Sequence, residues 1–305
     1  MRIVDLFCGC GGLSLGFSQA GFKPVAAYDY WDLAVETHNA NFKHKAEQVD
    51  ISDVKNTISK LSKLSFQVVI GGPPCQDFSS AGNRKEGERA NLTFSFAEII
   101  SHFKPTYFVM ENVARTRTSD IYAKAREIYK EAGYGLTETV IDASRCGVPQ
   151  QRKRFFCIGA LGPEDGFLED ILESGLTEKR MTVRDYFGDE LDVEHYYRHP
   201  RNYDRRGVFS IDEPAATIRG VNRPIPGGYK GHKNDSAKLS TMVRPLTTEE
   251  RGRLQTFPKN FVWVGSKTTK EQIIGNAVPV ELANYVAKSL MKYHKTQQEL
   301  EDKSA

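Results

Sequence analysis

Phe66-Gln67-Val68-Val69-Ile70-Gly71-Gly72-Pro73-Pro74-Cys75-Gln76 is the stretch that decides the fold. Its first five residues, apolar but for Gln67, read as a buried strand of an α/β sheet. Two glycines and two prolines then stop the strand and impose a rigid turn. Cys75 follows, just past the strand's C-terminal end, the edge where open α/β sheets bind their ligands. A thiolate there is a strong nucleophile, whereas a cysteine buried in a tight turn is a small apolar side chain. The sequence on either side decides between the two.

Upstream and downstream, strands alternate with helical segments. Residues 3–7 form a short strand running into Gly9-Cys10-Gly11-Gly12, and 13–20 have helical spacing up to Gly21. A second strand at 25–28 precedes a helix over 32–41, and a third strand ends at Val49-Asp50. The strand at 107–110 runs into Glu111-Asn112-Val113, with further strands near 137–141 and 154–158. This alternation predicts a doubly wound, mostly parallel sheet.

The chain has 305 residues, 39% apolar and 27% charged, enough for one large domain or two modest ones. No apolar stretch spans a membrane, and the first five residues open a strand rather than a signal peptide. Cys8, Cys10, Cys75, Cys146 and Cys157 form no Cys-x-x-Cys pair, so no zinc site or disulfide framework is indicated. An intracellular, reduced protein is expected. The net charge of +3 says little about partners; its distribution says more.

The glycine-rich turn after the first strand suggests a nucleotide-like cofactor, because glycines let a ligand approach the backbone at a helix start. Ser14 stands where a full Gly-x-Gly-x-x-Gly would have its last glycine. Asp29 after the second strand can bond ribose hydroxyls, and Asp50 ends the third strand similarly. These features alone leave nicotinamide, flavin and S-adenosylmethionine open.

In order, the chain carries Phe7-Cys8-Gly9-Cys10-Gly11-Gly12, Asp29, Asp50-Ile51, Pro73-Pro74-Cys75-Gln76, Glu111-Asn112-Val113 and Gln150-Gln151-Arg152-Lys153-Arg154. Arg244-Pro245-Leu246-Thr247, Arg253-Leu254-Gln255-Thr256-Phe257-Pro258 and Gly275-Asn276-Ala277-Val278-Pro279 follow. Over nearly its whole length the sequence resembles the cytosine-5 DNA methyltransferase family, bacterial restriction-modification type. The resemblance implies a Rossmann-like S-adenosylmethionine-dependent catalytic domain and a smaller, irregular, mostly β target-recognition domain. It places the discontinuous catalytic and cofactor-binding domain at 1–188 plus 266–293, recognition and hinge at 189–265, and a polar, frayed tail at 294–305. Residues 280–293 are expected to fold back as a helix beside the first strand.

The implied chemistry starts from a poor nucleophile, carbon 5 of cytosine. Cys75 adds to carbon 6, and carbon 5 then takes the methyl group of S-adenosyl-L-methionine. Loss of the carbon 5 proton and departure of Cys75 complete the cycle. Glu111 binds the exocyclic amine and ring nitrogen 3, and must be protonated at least transiently, which a desolvated pocket favours. Of the Gln-x-Arg-x-Arg pair, Arg152 is assigned the cytosine carbonyl and Arg154 the support of Glu111. Gln150 reads as an ordinary surface residue, and Cys146 and Cys157 as core.

For the cofactor, the resemblance implies Phe7, Cys8, Gly9, Cys10, Gly11 and Gly12 at the methionine end and Asp29 on the ribose. Tyr30, in place of the more usual Trp, stacks near the adenine, with Asp50 and Ile51 at its edge. Gly72, Pro74, Leu92, Asn276, Ala277 and Val278 complete that set. Residues 78–91 resemble the mobile loop that closes over a flipped-out base, although Gly87-Glu88-Arg89-Ala90-Asn91-Leu92 departs from the family's Asp-x-Arg-Gly-x-Leu. Gln76, Ser79, Arg84 and Arg89 there, and Thr217, Arg219 and Arg223 in the basic, aromatic-interleaved stretch 190–241, are the expected DNA contacts. Double-stranded DNA and a cognate restriction endonuclease are the expected partners of a cytoplasmic, nucleoid-associated monomer. Two other readings are a tRNA cytosine methyltransferase, against which stands the lack of a Cys-Phe-Thr tripeptide in 190–241, and an inactive DNA-binding module.

Overall fold

A computed structural model describes residues 1–74, 91–202, 204–240 and 242–304. Cys75, Gln76, Ser79, Arg84 and Arg89 lie outside the described residues.

The chain begins as an alternation: β1 (Arg2–Leu6), α1 (Gly12–Gln19), β2 (Lys23–Asp29), α2 (Asp32–Asn41), β3 (Ala46–Gln48), α3 (Val54–Leu61), β4 (Val68–Gly71), α4 (Asn91–Phe103), β5 (Tyr107–Val113), α5 (Asp120–Glu131) and β6 (Tyr134–Asp142). After it come β7 (Gln150–Gln151), β8 (Lys153–Leu161), α6 (Glu169–Ser174), α7 (Val183–Phe187), β9 (His195–Tyr197), β10 (Val208–Ser210), β11 (Ala215–Ala216) and β12 (Arg244–Pro245). Three helices close the chain: α8 (Thr248–Leu254), α9 (Lys267–Asn276) and α10 (Val280–Ser304). Two compact units result. The first comprises Met1–Ile141, Lys153–Leu176 and Ala283–Ala305, and the second Asp142–Arg152 and Thr177–Leu282.

The first unit holds a seven-stranded sheet in the order β3-β2-β1-β4-β5-β8-β6. The pairs β2–β3, β1–β2, β1–β4 and β4–β5 are parallel, and β8 runs antiparallel to β5. Val68 to Ile70 and Phe108 to Met110 are wholly buried, which explains why these strands read as unbroken apolar runs rather than alternating ones. Strand order reverses between β1 and β4, which opens a crevice at the C-terminal edge. The loops leaving β1, β2, β3 and β5, and residues 72–74 after β4, lie on that edge because those strands are parallel.

The helix α10 keeps to Ser304, where a frayed tail from His294 was expected. Its last turns contain neither Gly nor Pro and are rich in good helix formers. The ring of Tyr293 packs on Phe167 and Tyr107, and the Tyr107 hydroxyl lies 3.2 Å from His294 Nδ1.

The second unit is built from short pieces. Strand β9 pairs antiparallel with β10 and parallel with β12, and β7 pairs parallel with β11. Val183, Phe187, Tyr196, Phe209, Ile218, Leu254 and Ile274 form its core. This unit extends beyond the 189–265 read from sequence, because β7 and Arg152 are bonded into it.

Candidate active site

The turn after β1 is wound tightly. Phe7, Gly9 and Gly11 all have positive φ, and the Cys8 amide donates to Tyr28 O at the end of β2. The Gly9 amide donates to Asp29 Oδ2 at 2.8 Å, while Asp29 Oδ1 accepts from the Trp31 amide at 2.9 Å. Asp29 therefore ties the first turn to the second, and burial raises its carboxyl above the usual range. Cys8 and Cys10 are buried, and burial pushes both thiols up, so the turn presents backbone rather than thiolate. Gly12 opens α1, and Tyr30 is 69% exposed. Asp50 Oδ1 accepts from the Ser52 amide and hydroxyl, and Ile51 is buried behind it.

Sequence reasoning passed over two residues that hold this turn. Ser14, read as a missing glycine, donates both its hydroxyl and its amide to Oδ2 of Asp5, which is fully buried in β1. Burial raises the Asp5 carboxyl to about 7. Beneath Gly11 lie Phe42 and His38, with the His38 ring stacked on Phe42 at 4.3 Å and meeting His44 edge-on at 4.8 Å. A lone histidine in a helical stretch gives no sequence signal of such a stack.

On the other side of the crevice, β5 ends in Glu111 and Asn112, both buried. Asn112 Nδ2 donates to Pro73 O at 2.9 Å, which fastens the Glu-Asn-Val strand to the Gly-Gly-Pro-Pro turn. A Cβ built at Gly72 would stand 3.2 Å from Glu111 Oε2, so the glycine leaves room for that carboxylate. Arg154 Nε pairs with Glu111 Oε1 at 2.9 Å, and both side chains are nearly buried. The pairing follows from register: Arg154 sits opposite Val113 in β8, diagonal to Glu111 on the same face. Burial pulls the Arg154 guanidinium below the usual arginine range, while Glu111 pulls it back up. Pro74 is exposed, and Leu92 is partly buried in the first turn of α4.

Arg152 requires a correction. It was assigned the cytosine carbonyl, but it is 2% exposed in the second unit, and its guanidinium donates to the carbonyls of Ile218, Gly275 and Ala277 at 3.1–3.2 Å. Buried and bonded to three carbonyls of the second unit, this guanidinium serves the scaffold; of the two arginines, Arg154 is the one beside Glu111. Gln150, read as a surface residue, is fully buried. Its Nε2 donates to Gln255 Oε1, and its Oε1 accepts from the Ile218 amide.

The expected recognition residues lie in the second unit. The Thr217 hydroxyl donates to Gln151 O, Arg219 donates to His199 O, and Arg223 is exposed. A Cβ on Gly275 would fall 2.2 Å from Gly220 N, so this glycine lets the 219–220 backbone lie against α9. Asn276 is exposed at the end of α9, Ala277 contributes its carbonyl to Arg152 and Gln255, and Val278 is buried.

The C-5 cytosine-specific DNA methylase family model matches residues 1–292. The chain is 52% identical over 297 residues to the type II methyltransferase M.HindV of Haemophilus influenzae, covering 97% of this chain and 98% of that protein. It is 51% identical over 294 residues to the type II methyltransferase M.HgiDI of Herpetosiphon aurantiacus, covering 96% and 95%. The S. pombe Dnmt2 methyltransferase has the same fold, with a TM-score of 0.69 at 18% identity over 96% of this chain and 98% of that one.

Proposed function

The chain belongs to the C-5 cytosine-specific DNA methylase family, and from that membership we propose how its residues divide the work. It is a DNA (cytosine-5-)-methyltransferase, and bound S-adenosyl-L-methionine supplies the electrophilic methyl group on a sulfonium. The crevice residues fit that cofactor. A Cβ at Gly9 would meet nothing within 4 Å, so the turn is open where a ligand needs backbone contact. Tyr30 offers an exposed ring for stacking, and Asp50 has no partner on Oδ2 among the described residues. Phe7 and Gly9 to Gly12 are assigned the methionine end, Asp29 the ribose, and Tyr30, Asp50 and Ile51 the adenine.

Cys75 is assigned the nucleophile. Its thiolate adds to carbon 6 of a flipped-out cytosine and leaves again when the carbon 5 proton is lost. Glu111 takes the exocyclic amine and ring nitrogen 3, donating a proton as the ring accepts charge. Arg154 orients that carboxyl and places positive charge beside it. The observation that carries this reading is the fastening of Glu111-Asn112 to Gly72-Pro73 through Asn112, because it brings the acid to the turn that leads into Cys75. Arg152 has the structural duty described above.

The second unit is assigned target recognition, with Arg219 and Arg223 the first candidates for base contact. The type II names of the relatives support pairing with a restriction endonuclease. No helix among the described residues is long and apolar enough to cross a membrane. The bacterial relatives support a cytoplasmic enzyme, and a monomer working on the nucleoid is the form assigned to it.

Bisulfite sequencing of plasmid from a methylation-deficient host, with wild type beside Cys75→Ser, tests the reading. Protected cytosines in one short sequence are expected from wild type alone. Protection that persists in Cys75→Ser removes the nucleophile assignment, and no protection from either chain removes the DNA reading.

A further inference from the structure

The second unit contains a cavity of about 580 Å³ whose lining includes Asn222, Arg223, Thr247, Glu249, Lys267 and Lys270. Of its lining, only Arg223 has been assigned a part, as a candidate for base contact. A bonded network fixes two of the neighbouring loops. Asn222 Nδ2 donates to Leu246 O at 2.9 Å and to Glu271 Oε1 at 3.0 Å, and the Thr248 hydroxyl donates to the same carboxylate oxygen at 2.9 Å. Glu271 is ion-paired with Arg251, and Glu250 with Arg244, so neither acid neutralises the cavity.

Three cations line the cavity against one carboxylate, Glu249. Arg223, Lys267 and Lys270 have no ion-pair partner among the described residues. The two lysines lie in the first turn of α9, which holds no acid, at the end of a helix that favours negative charge. Such a placement is mildly unfavourable, and an anion relieves it. The positive field also continues along the neighbouring segment, where Arg223 and Arg219 help to hold His199 below its usual range, behind the larger effect of burial.

Resting on the DNA methylase reading, we propose that this cavity seats one backbone phosphate of the DNA duplex beside the base-reading segment 217–223. Lysines meet phosphate as point charges, and a phosphate contact carries no base code, so it fixes position on the duplex rather than sequence. The phosphate belongs to DNA rather than to a free anion because Asn222 and Arg223 continue directly from Thr217 and Arg219.

The test measures duplex affinity by fluorescence anisotropy across a salt series. It compares the full chain with Lys267→Gln/Lys270→Gln, on a duplex that the wild type methylates and on a scrambled one. The expected result is equal weakening on both duplexes. The plot of log affinity against log salt should become shallower by about 1, the change that follows when one phosphate is no longer neutralised. Lys267→Arg/Lys270→Arg keeps the charge and should keep the wild-type slope, which separates charge removal from misfolding. An unchanged slope overturns the proposal, and so does weakening confined to the methylated duplex, which would make the lysines base readers. Stabilisation of wild type against melting by inorganic phosphate, abolished in the double Gln variant without any change of slope, overturns it in favour of a free-anion site. Because the readout is binding, a chain showing the lysine-dependent slope but no methyl transfer would support the cavity and refute the catalytic reading.

Discussion

Acid should act on this fold through a ring that never touches substrate. His38 is fully buried under the glycine turn, and neither ring nitrogen has a hydrogen-bond partner of good geometry among the described residues. Burial, helped by neighbouring His44, pushes it down from 6.5 to about 3. In the unfolded chain the ring recovers its ordinary value, so between those two values the unfolded state binds the extra proton. Stability from this group is therefore full above about 6.5 and is lost as pH falls. At about pH 5 the loss is ~2 kcal/mol. Wild type alone will not show it, because Asp5 works in the opposite direction. Its carboxyl is raised from 3.8 to about 7 by burial, so the folded state gains roughly 2 kcal/mol from it between about pH 7 and pH 5. The informative quantity is the difference between His38→Phe and wild type in urea unfolding at the two pH values. That difference should move by about 2 kcal/mol in favour of the variant on acidification. The substitution's packing cost cancels in the comparison, and so does Asp5. A difference that stays constant with pH would falsify the claim that a neutral His38 supports the turn.

Three further outcomes follow from named contacts. Arg154→Ala should lower turnover by about 10²-fold or more while calorimetric affinity for S-adenosyl-L-methionine holds, since it touches Glu111 and not the glycine turn; undiminished turnover removes Arg154 from the site. Arg152→Met removes the guanidinium donor from the buried carbonyls of Ile218 and Gly275, at about 1–3 kcal/mol each, while Gln255 still donates to Ala277 O. Urea unfolding should therefore show a loss of about 2 kcal/mol or more, and a loss under about 1 kcal/mol contradicts the structural role. Gly275→Ala forces a methyl group toward Gly220 N, so affinity for DNA should fall; the idea fails if DNA binding is intact.

The central strands β1, β4 and β5 were legible because they are buried on both faces, and β4 stops sharply at Gly71-Gly72-Pro73-Pro74. The pairing of Glu111 with Arg154 was also foreseen, as a consequence of two motifs meeting. Arg152 and Gln150 were misread for a common reason. A polar side chain in a motif looks the same whether it faces a substrate or a backbone carbonyl, and sequence carries no burial. The extension of α10 to Ser304 was missed because polarity was taken for fraying, although nothing in that stretch opposes a helix. Ser14 was judged against a glycine template, and its bond to Asp5 across nine residues could not be seen from one chain.

The buried polar groups of the second unit share a design that bears on how a target can change. The Ile218 amide donates to Gln150, its carbonyl accepts from Arg152, and its side chain lies in the core. Gln255 is joined to Gln150 and donates to the carbonyls of Ile274 and Ala277. Two side chains of one motif, Gln150 and Arg152, therefore grip the backbone of Ile218, and Gln255 of a second motif braces Gln150. A grip on N–H and C=O does not depend on which side chains flank it. The outward residues on either side of Ile218 can then vary without releasing the clamp, provided that Gly275 and Gly220 keep the close backbone approach. Buried, fully bonded polar groups cost little once paired and much when half-paired. The motif residues are thus held to one identity by the scaffold, whereas Thr217 and Arg219 on either side of Ile218 add only their own bonds to the carbonyls of Gln151 and His199.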